Sequence, residues 1–494
     1  MTGLLTVAMS APTESSALVA SSGAESARRA AVLTAVILIM TSLAAKAAID
    51  TAQGQGASDI ADAVGDETVQ NTVPSLGTVC YGFGKVTAFL LGAQRIGDRR
   101  YLVVIMLLGG TFTYLFTIGT NAAFFSAWMA YRYVTAFAWP VSVSLMLLWV
   151  DLEHHGKATG ALGYAWEGSA ALMAGVFTSL PAEEWEVPFY IAGACAFASA
   201  ILVAAFLHTS ATAAGHRPPH VAQPLEPLTN RRGDVYRTRG DEVAASAGRD
   251  PAKAELAAPL APSALPPQAH PLDGATLWEA VVAFAHDGSF WLALAGNTAL
   301  LGASYMKDYQ PSLLHDWGKA DETERKLLVM SNAAVNVVGL AVGGVVRDHC
   351  SRRGWMRVVC VLCVWATAMQ WAMQARAWGG ELSARDVYVF QGLTQLATVT
   401  LGYILVTVFV AEIGGLRHAA TAVNLVDMVG IGFSAITQAV CGALDNDRRY
   451  VDVLLLGPII TTIGCAAWAL FACRVLWLLD RATLDREVEA SSGK

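Results

Sequence analysis

Long apolar runs separated by short polar segments dominate the chain. Reading for runs that can cross about 30 Å of hydrocarbon predicts twelve membrane spans. They lie near residues 30–49, 74–93, 101–119, 122–150, 158–180, 188–207, 289–306, 326–346, 355–376, 386–412, 418–443 and 453–478. Charged residues make up 15% of the chain, against about 25% in a typical soluble domain, and most lie at the ends of the runs. The pattern predicts an all-α membrane protein with 12 transmembrane helices.

Basic and acidic residues alternate from one loop between spans to the next. Basic groups at 28–29, 95–100 and 347–357 fall on one side, and acidic groups at 59–67 and 183–186 fall on the other. Because cytosolic loops are enriched in Lys and Arg, both termini are predicted to be cytosolic, in a plasma or an internal membrane. The net charge of −7 says little about partners other than the lipid bilayer, and no nucleic-acid partner is predicted.

Residues 208–275 differ in composition from the rest of the chain. They contain ten prolines and nearly equal numbers of acids and bases, so this segment cannot bury enough apolar area to fold alone. It separates six spans from six spans. The loops GAQRIGDRR and GGVVRDHCSRR repeat a pattern of Gly, Asp and Arg that suits a latch between a charge and a helix end. The predicted domains are a disordered cytosolic tail, an N-terminal six-helix bundle, a disordered cytosolic linker, a C-terminal six-helix bundle and a cytosolic tail, at 1–27, 28–207, 208–285, 286–480 and 481–494.

One lysine, Lys46, stands inside the first apolar run, between Arg28-Arg29 and Asp50. A cation within a hydrophobic helix costs on the order of 2.5 kcal/mol or more in a bilayer, so it usually faces a water-filled cavity and has a function. We therefore predict that Lys46 lines a substrate cavity.

Further charged residues lie inside predicted spans. Lys85 in span 2 and Arg132 in span 4 are candidates for the same cavity. Asp427 in span 11 is flanked by apolar residues and needs a cationic partner, for which the sequence offers Lys307 or Arg417. Structural pairing with a neighbouring helix is the alternative role of each of these residues.

Four segments resemble the organophosphate:phosphate antiporters of the major facilitator superfamily. The block at 81–116 opens with aromatic-Gly-aromatic-small-Lys and is similar to their spans 2–3, and the block at 138–175 is similar to their span 4–5 signature. The segments KDYQPSLL (307–314) and AATAVNLVDMVGIG (419–432) are similar to the end of their span 7 and to their span 11. The resemblance implies the major facilitator fold, in which two pseudo-symmetric six-helix bundles rock around a site near the bilayer midplane.

The resemblance also implies a site for a phosphate group. The bacterial glycerol-3-phosphate transporters clamp phosphate between basic residues of spans 1 and 7, and Lys46 falls at the first of these positions. The counterpart in span 7 is Ala303, which is a departure from the family. Lys307, one turn later, either supplies the second cation or pairs with Asp308.

Span 5 departs from the family pattern as well, because Trp166 stands where these carriers have a His. The adjacent Glu167 is a proton-coupling carboxylate, a neutralising partner of Lys46 or a member of a structural pair. Tyr305 in span 7 is a candidate cavity residue, although aromatic residues within spans more often serve packing.

The predicted function is secondary active transport by alternating access, by a monomer and without a cofactor. The leading hypothesis is exchange of a sugar phosphate or glycerol 3-phosphate for inorganic phosphate. The alternatives are a proton-coupled carrier of another small anion or polar metabolite, using Glu167 or Asp427, and a transport-inactive membrane sensor or scaffold. The chain lacks phosphate-loop, zinc-protease and serine-hydrolase motifs, and its eight cysteines do not form the two closely spaced pairs of a zinc site, so neither an enzyme nor a metal site is predicted.

Overall fold

A computed structural model of the protein describes residues 14–55, 68–91, 98–118, 121–181, 184–219, 270–272, 274–319 and 321–491. Within these ranges every element of regular secondary structure is a helix. The first part of the predicted N-terminal tail, the centre of the predicted linker and the last three residues of the chain lie outside the described residues.

In the described residues of the first half of the chain, seven segments are α-helices. They are α1 Glu14–Gln55, α2 Thr68–Leu91, α3 Asp98–Phe116, α4 Asn121–Thr135, α5 Ala138–Leu147, α6 His155–Ser179 and α7 Val187–Phe206. The helices α4 and α5 together occupy the fourth predicted span. The interruption between them fits Pro140, because proline is tolerated in the first turn of a helix and not in its interior.

Seven further helices form the second half. They are α8 Leu277–His286, α9 Gly288–Asp316, α10 Glu322–His349, α11 Arg352–Trp378, α12 Ala384–Val399, α13 Val406–Asn446 and α14 Tyr450–Ser491. A π-helical turn, Thr400–Leu405, joins α12 to α13. The helix α13 bends at Gly415, whose φ of 57° is a conformation that glycine adopts without strain, so its two parts correspond to the tenth and eleventh predicted spans.

Each of the twelve predicted spans coincides with one helix, with part of one or with consecutive helices. Among the described residues, eight helical stretches are long and apolar enough to cross a membrane by length and composition. The helices α2, α4 and α6 are not in that set, and they carry Lys85, Arg132 and Glu167. Length excludes two of these helices, since α4 has 15 residues and the apolar stretch of α2, Leu76–Leu90, is likewise shorter than 18 residues.

The two halves repeat one pattern of helix packing. In the first half α1 packs against α6 and α7, and α3 packs against α7. In the second half α9 packs against α13 and α14, and α11 packs against α14. In terms of the spans, contacts 1–5, 1–6 and 3–6 are matched by contacts 7–11, 7–12 and 9–12, which is the arrangement of two pseudo-symmetric bundles.

The halves meet where α6 packs against α10 and where α2 packs against α13. A Cβ atom placed on Gly344 of α10 would lie 2.7 Å from the carbonyl oxygen of Gly156 on α6. A Cβ atom on Gly160 would lie 2.8 Å from the carbonyl oxygen of Leu340. Glycine allows these two helices to approach closely, as small residues do throughout membrane bundles.

Asp348 closes one side of the interface between the halves. Its carboxylate accepts hydrogen bonds from the backbone N–H groups of Gly156, at 2.8 Å, and Lys157, at 2.9 Å. These groups belong to the first turn of α6, whose positive dipole end favours an anion. Asp348 belongs to the segment GGVVRDHCSRR, so the latch predicted between an Asp and a helix end is present in the second half.

Both described ends of the linker lie on this same side, which we call the linker side. After α7, the backbone N–H of Ala211 donates to the carbonyl oxygen of Leu148 at 3.1 Å. The Trp149 indole donates to the carbonyl oxygen of His208, also at 3.1 Å. Before α9, the His270 imidazole lies 3.0 Å from the carbonyl oxygen of Glu412. The contacts between α6 and α10 described above lie at this end of the molecule, so the halves are closed on the linker side.

Part of the segment predicted as a disordered linker is a helix. The helix α8 begins after Thr276, whose side chain and that of Glu279 form a capping box, and Phe284 is buried. A capping box satisfies two backbone donors that a helix start otherwise leaves open. Residues 276–279 therefore specify the start of a helix, although the composition of the whole segment predicts disorder.

A candidate substrate site between the two halves

Lys46 is paired with Asp50, one turn further along α1. Its Nζ lies 2.6 Å from Oδ2 of Asp50, and its side chain is 1% exposed. The expectation that Glu167 neutralises Lys46 is wrong, because the shortest route to a carboxylate is the i to i+4 contact on its own helix. That spacing was visible in the sequence.

Arg132 of α4 provides a second cation to the same carboxylate. Its guanidinium donates to Oδ1 of Asp50 at 3.2 Å, while Lys46 donates to Oδ2. The carboxylate is therefore shared, with one oxygen for each cation. The Tyr131 hydroxyl adds a hydrogen bond to the carbonyl of Lys46 at 3.1 Å, which fixes α4 against α1.

Tyr81 of α2 lies at the centre of three cations. Its ring centroid is 5.3 Å from Lys46 Nζ, 5.2 Å from Lys85 Nζ and 4.6 Å from the central guanidinium carbon of Arg132. The ring of Trp166 lies 4.5 Å from Lys46 Nζ. Aromatic faces stabilise cations at these distances by about 0.5–2 kcal/mol. The rings of Tyr81 and Trp166 therefore offset part of the free-energy cost of burying these cations, without further carboxylates.

Lys85 joins the two halves. Its Nζ lies 3.0 Å from Oδ2 of Asp427 on α13, and its backbone carbonyl accepts a hydrogen bond from the Asn424 amide at 3.0 Å. The expected partners of Asp427, Lys307 or Arg417, are replaced by a lysine 342 residues away in sequence. Such a pair follows from the packing of α2 on α13, which local spacing does not reveal.

Glu167 of α6 is held by neutral donors from the second half. The Asn336 amide of α10 donates to Oε2 at 2.9 Å, and the Tyr403 hydroxyl donates to Oε1 at 3.3 Å. The ring of Tyr403 also packs edge-on against Trp139 of α5, at 5.2 Å between centroids. Glu167 therefore forms a polar contact between the halves that is separate from the ion pair of Lys46.

Two candidate residues, Tyr305 and Lys307, lie in α9, where the structure describes the backbone but not their side chains. Ala303, at the missing second cation position, lines a small cavity inside the second half. The other residues around this cavity are mostly uncharged polar or small side chains: Leu300, Ser304, Gln370, Gln391, Thr394, Gln395, Thr398, Gly457 and Thr461. Within it the Gln370 amide donates to Gln391 at 2.9 Å.

The ionic groups near Tyr81 carry one more positive than negative charge. The positive charges belong to Lys46, Lys85 and Arg132, and the negative charges belong to Asp50 and Asp427. The two lysines are 1% exposed, whereas the side chains of Asp50, Asp427 and Arg132 keep 13–18% of their surface. The site can therefore receive an anion by rearranging existing ion pairs. Among the described residues, no group of three or more metal-ligand side chains is present.

In the described residues, an all-helical fold of two matched bundles with a buried ionic site where they meet is the architecture of a membrane transporter. The Major Facilitator Superfamily profile matches residues 30–415. The chain belongs to that superfamily and is an integral, multi-pass membrane protein.

The crystal structure of the human organic anion transporter MFSD10 (TETRAN) has a similar fold. The two structures superpose with a TM-score of 0.55 and 13% sequence identity, over 91% of this chain and 99% of that one. At this identity the likeness extends to the fold alone. Comparison with curated protein sequences finds no match.

Proposed function

We propose that this protein is a secondary transporter of small organic anions, which bind at the Lys46–Asp50–Arg132 group. The observation that carries the proposal is the shared carboxylate: the buried Lys46 and the largely buried Arg132, from different helices, bind one Asp50 side chain, one cation on each oxygen. A carboxylate or phosphate anion, like Asp50, offers negative charge and at least two acceptor oxygens. It can therefore take over one or both cations as the carboxylate turns away.

Such an exchange of partners keeps the cations satisfied throughout. Removing one member of a buried pair without replacement costs about 3–5 kcal/mol, so Asp50 leaves Lys46 and Arg132 only when another anion is present. This requirement links substrate binding to a local rearrangement on α1 and α4. It also prevents an empty carrier from exposing two unpaired cations.

We propose phosphate monoesters as the first substrate class, with exchange of a sugar phosphate or glycerol 3-phosphate for inorganic phosphate. Arg132 supports this class, because a guanidinium presents a planar fork that matches two phosphate oxygens, whereas the ammonium of Lys46 acts as a point charge. Both cations come from the first half. Arg132 thus supplies the second cation, which the glycerol-3-phosphate transporters have in span 7 at the position of Ala303.

A second candidate is an organic monoanion such as a carboxylate. The charge balance favours it, since the group around Tyr81 has a surplus of one positive charge rather than two. The aromatic faces of Tyr81 and Trp166 would pack against an apolar substrate body. The name of the similarly folded human protein, an organic anion transporter, agrees with this candidate.

Counterflow in proteoliposomes tests the proposal. Vesicles loaded with inorganic phosphate, glycerol 3-phosphate, lactate or benzoate are diluted into the same labelled anion, and uptake is followed for wild type and Lys46→Ala. We expect uptake of at least one anion by wild type and its loss in Lys46→Ala, while Lys319→Ala, a lysine in the loop after α9, behaves as wild type. If wild type exchanges none of the four anions, the proposed substrate class is wrong.

A further inference from the structure

We infer that Glu167 takes up and releases a proton during the transport cycle, and that Asn336 holds the protonated form. This inference rests on the proposed transport function and adds a coupling ion to it. Glu167 is 6% exposed and follows Trp166, whose ring covers Lys46. The carboxyl group is thus next to the anion site without belonging to it.

The ionised form of Glu167 is poorly compensated. Its two oxygens accept one hydrogen bond each, from the Asn336 amide and the Tyr403 hydroxyl. Both donors are neutral, and among the described residues no Lys, Arg or His lies within ion-pair distance of Glu167. A buried charge is costly unless it is paired and fully hydrogen-bonded, and Glu167 lacks the cationic partners that Asp50 has.

Asn336 contains a buried acceptor without a donor, and a protonated Glu167 would supply that donor. Its Oδ1 is buried and has no hydrogen-bond partner, while its Nδ2 donates to Glu167. Once a proton binds to Glu167, the new O–H can donate to Oδ1 while Nδ2–H still donates to the other carboxyl oxygen. This paired acid–amide arrangement satisfies both groups, whereas an unmade buried hydrogen bond costs about 1–3 kcal/mol.

The proton transfer forms and breaks no other covalent bond. Hydronium or water on the open side gives the proton to Glu167, and the same O–H bond breaks when the proton leaves to water on the opposite side. The positive charge that enters with the proton offsets one negative charge of the transported anion. Net charge movement across the membrane is reduced accordingly.

Tyr403 connects this proton to the movement of the halves. It lies in the π-helical turn between α12 and α13, and such turns are frequent at functional sites. Its 3.3 Å hydrogen bond ends on the oxygen that the acid–amide pair would use. A protonated carboxyl oxygen is a weaker acceptor than an ionised one, so protonation of Glu167 weakens its link to the π-helical turn and keeps its link to α10, which loosens the closed arrangement.

The titratable and charged groups around Glu167 come from two directions. From the second half, Tyr403 faces it, and the adjoining part of α10 offers the neutral Asn336. From the first half, Lys46 lies on the far side of Trp166, already paired with Asp50. An anion that displaces Asp50 adds negative charge near Glu167 and so favours its protonation, which is the sign required for co-transport.

Infrared difference spectroscopy tests the titration without any substrate. Reconstituted protein is cycled between neutral and acidic buffer, and the carbonyl band of carboxylic acids is recorded for wild type, Glu167→Gln and Asn336→Ala. We expect a wild-type band that is lost in Glu167→Gln and shifted in Asn336→Ala. The matched control is Glu186→Gln, because Glu186 also accepts a hydrogen bond from a tyrosine, Tyr190 at 2.8 Å, but in an exposed position. An unchanged spectrum in Glu167→Gln overturns the inference.

Transport separates this inference from the proposed function. Counterflow needs no net proton movement, so Glu167→Gln should keep counterflow of the anion that wild type exchanges and lose uptake driven by a pH gradient. Retained gradient-driven uptake in Glu167→Gln contradicts proton coupling at this residue. Absence of counterflow in wild type contradicts the proposed function instead, and the infrared result then stands by itself.

Discussion

The two halves share one helix arrangement and differ in their polar chemistry. The first half places a network of charged side chains around Tyr81: Lys46, Asp50, Lys85 and Arg132. The described part of the second half faces the interior mainly with amides: Asn336, Asn424, Gln370 and Gln391. In pseudo-symmetric bundles, symmetry of the backbone therefore does not imply symmetry of function.

The difference indicates how the halves can move. Charges held by partners within one bundle travel with it, so rocking does not break them. Among the described contacts between side chains of the two halves, the Lys85–Asp427 pair is ionic, whereas the contacts of Glu167 use neutral donors. Hydrogen bonds between helices in membrane proteins are weak, about 0.6 kcal/mol on average, which suits the opening and closing of this interface that the proposed function requires.

Removing the shared carboxylate of the first half should give the largest effect. In Asp50→Ala, Lys46 and Arg132 lose their partner, and we expect the free energy of unfolding to fall by about 3–5 kcal/mol. Denaturant-induced unfolding in detergent micelles, followed by tryptophan fluorescence, measures the change. If an anion takes the place of Asp50, added phosphate should restore part of the lost stability.

The control for this variant is Asp452→Ala. Asp452 forms an ion pair with Arg449 at 2.7 Å, but both side chains are about half exposed, so its loss should cost less than about 1 kcal/mol. Equal losses in the two variants would show that Asp50 does not hold two buried cations.

The close contact between the halves should give an intermediate effect. In Gly344→Ala the new Cβ meets the carbonyl of Gly156 at 2.7 Å, which forces α6 and α10 apart and costs about 1–3 kcal/mol. We expect the closed linker side to lose population, seen as faster labelling of a cysteine introduced at Leu340, which is buried between α10 and α6.

Gly175→Ala is the matched control, because a Cβ at Gly175 meets nothing within 4 Å. Alanine is favoured over glycine within a helix by roughly 0.5–1 kcal/mol, so this variant should be as stable as wild type or slightly more so. Slower labelling in Gly344→Ala than in wild type would contradict a closed linker side that depends on this glycine.

Sequence reasoning found the helices and most charged members of the site, because both follow from the cost of polar groups in hydrocarbon. All twelve predicted spans are helical, and Lys46, Lys85 and Arg132 meet around one ring. The choice of partners was harder to predict. Lys85 and Asp427 are 342 residues apart, and a tyrosine such as Tyr81 resembles any packing residue until three cations surround it.

The amide pair of the second half should give the smallest effect. In Gln391→Leu the Gln370 amide loses its acceptor at 2.9 Å, and we expect a loss of about 0.6–1.7 kcal/mol in the same unfolding measurement. In the double variant Gln370→Leu with Gln391→Leu both partners become apolar, and the loss should shrink, since replacing both members of a hydrogen bond leaves nothing unsatisfied. A loss as large as that of Asp50→Ala would mean that the second half depends on its polar groups as strongly as the first, and the division between charged and neutral halves would not hold.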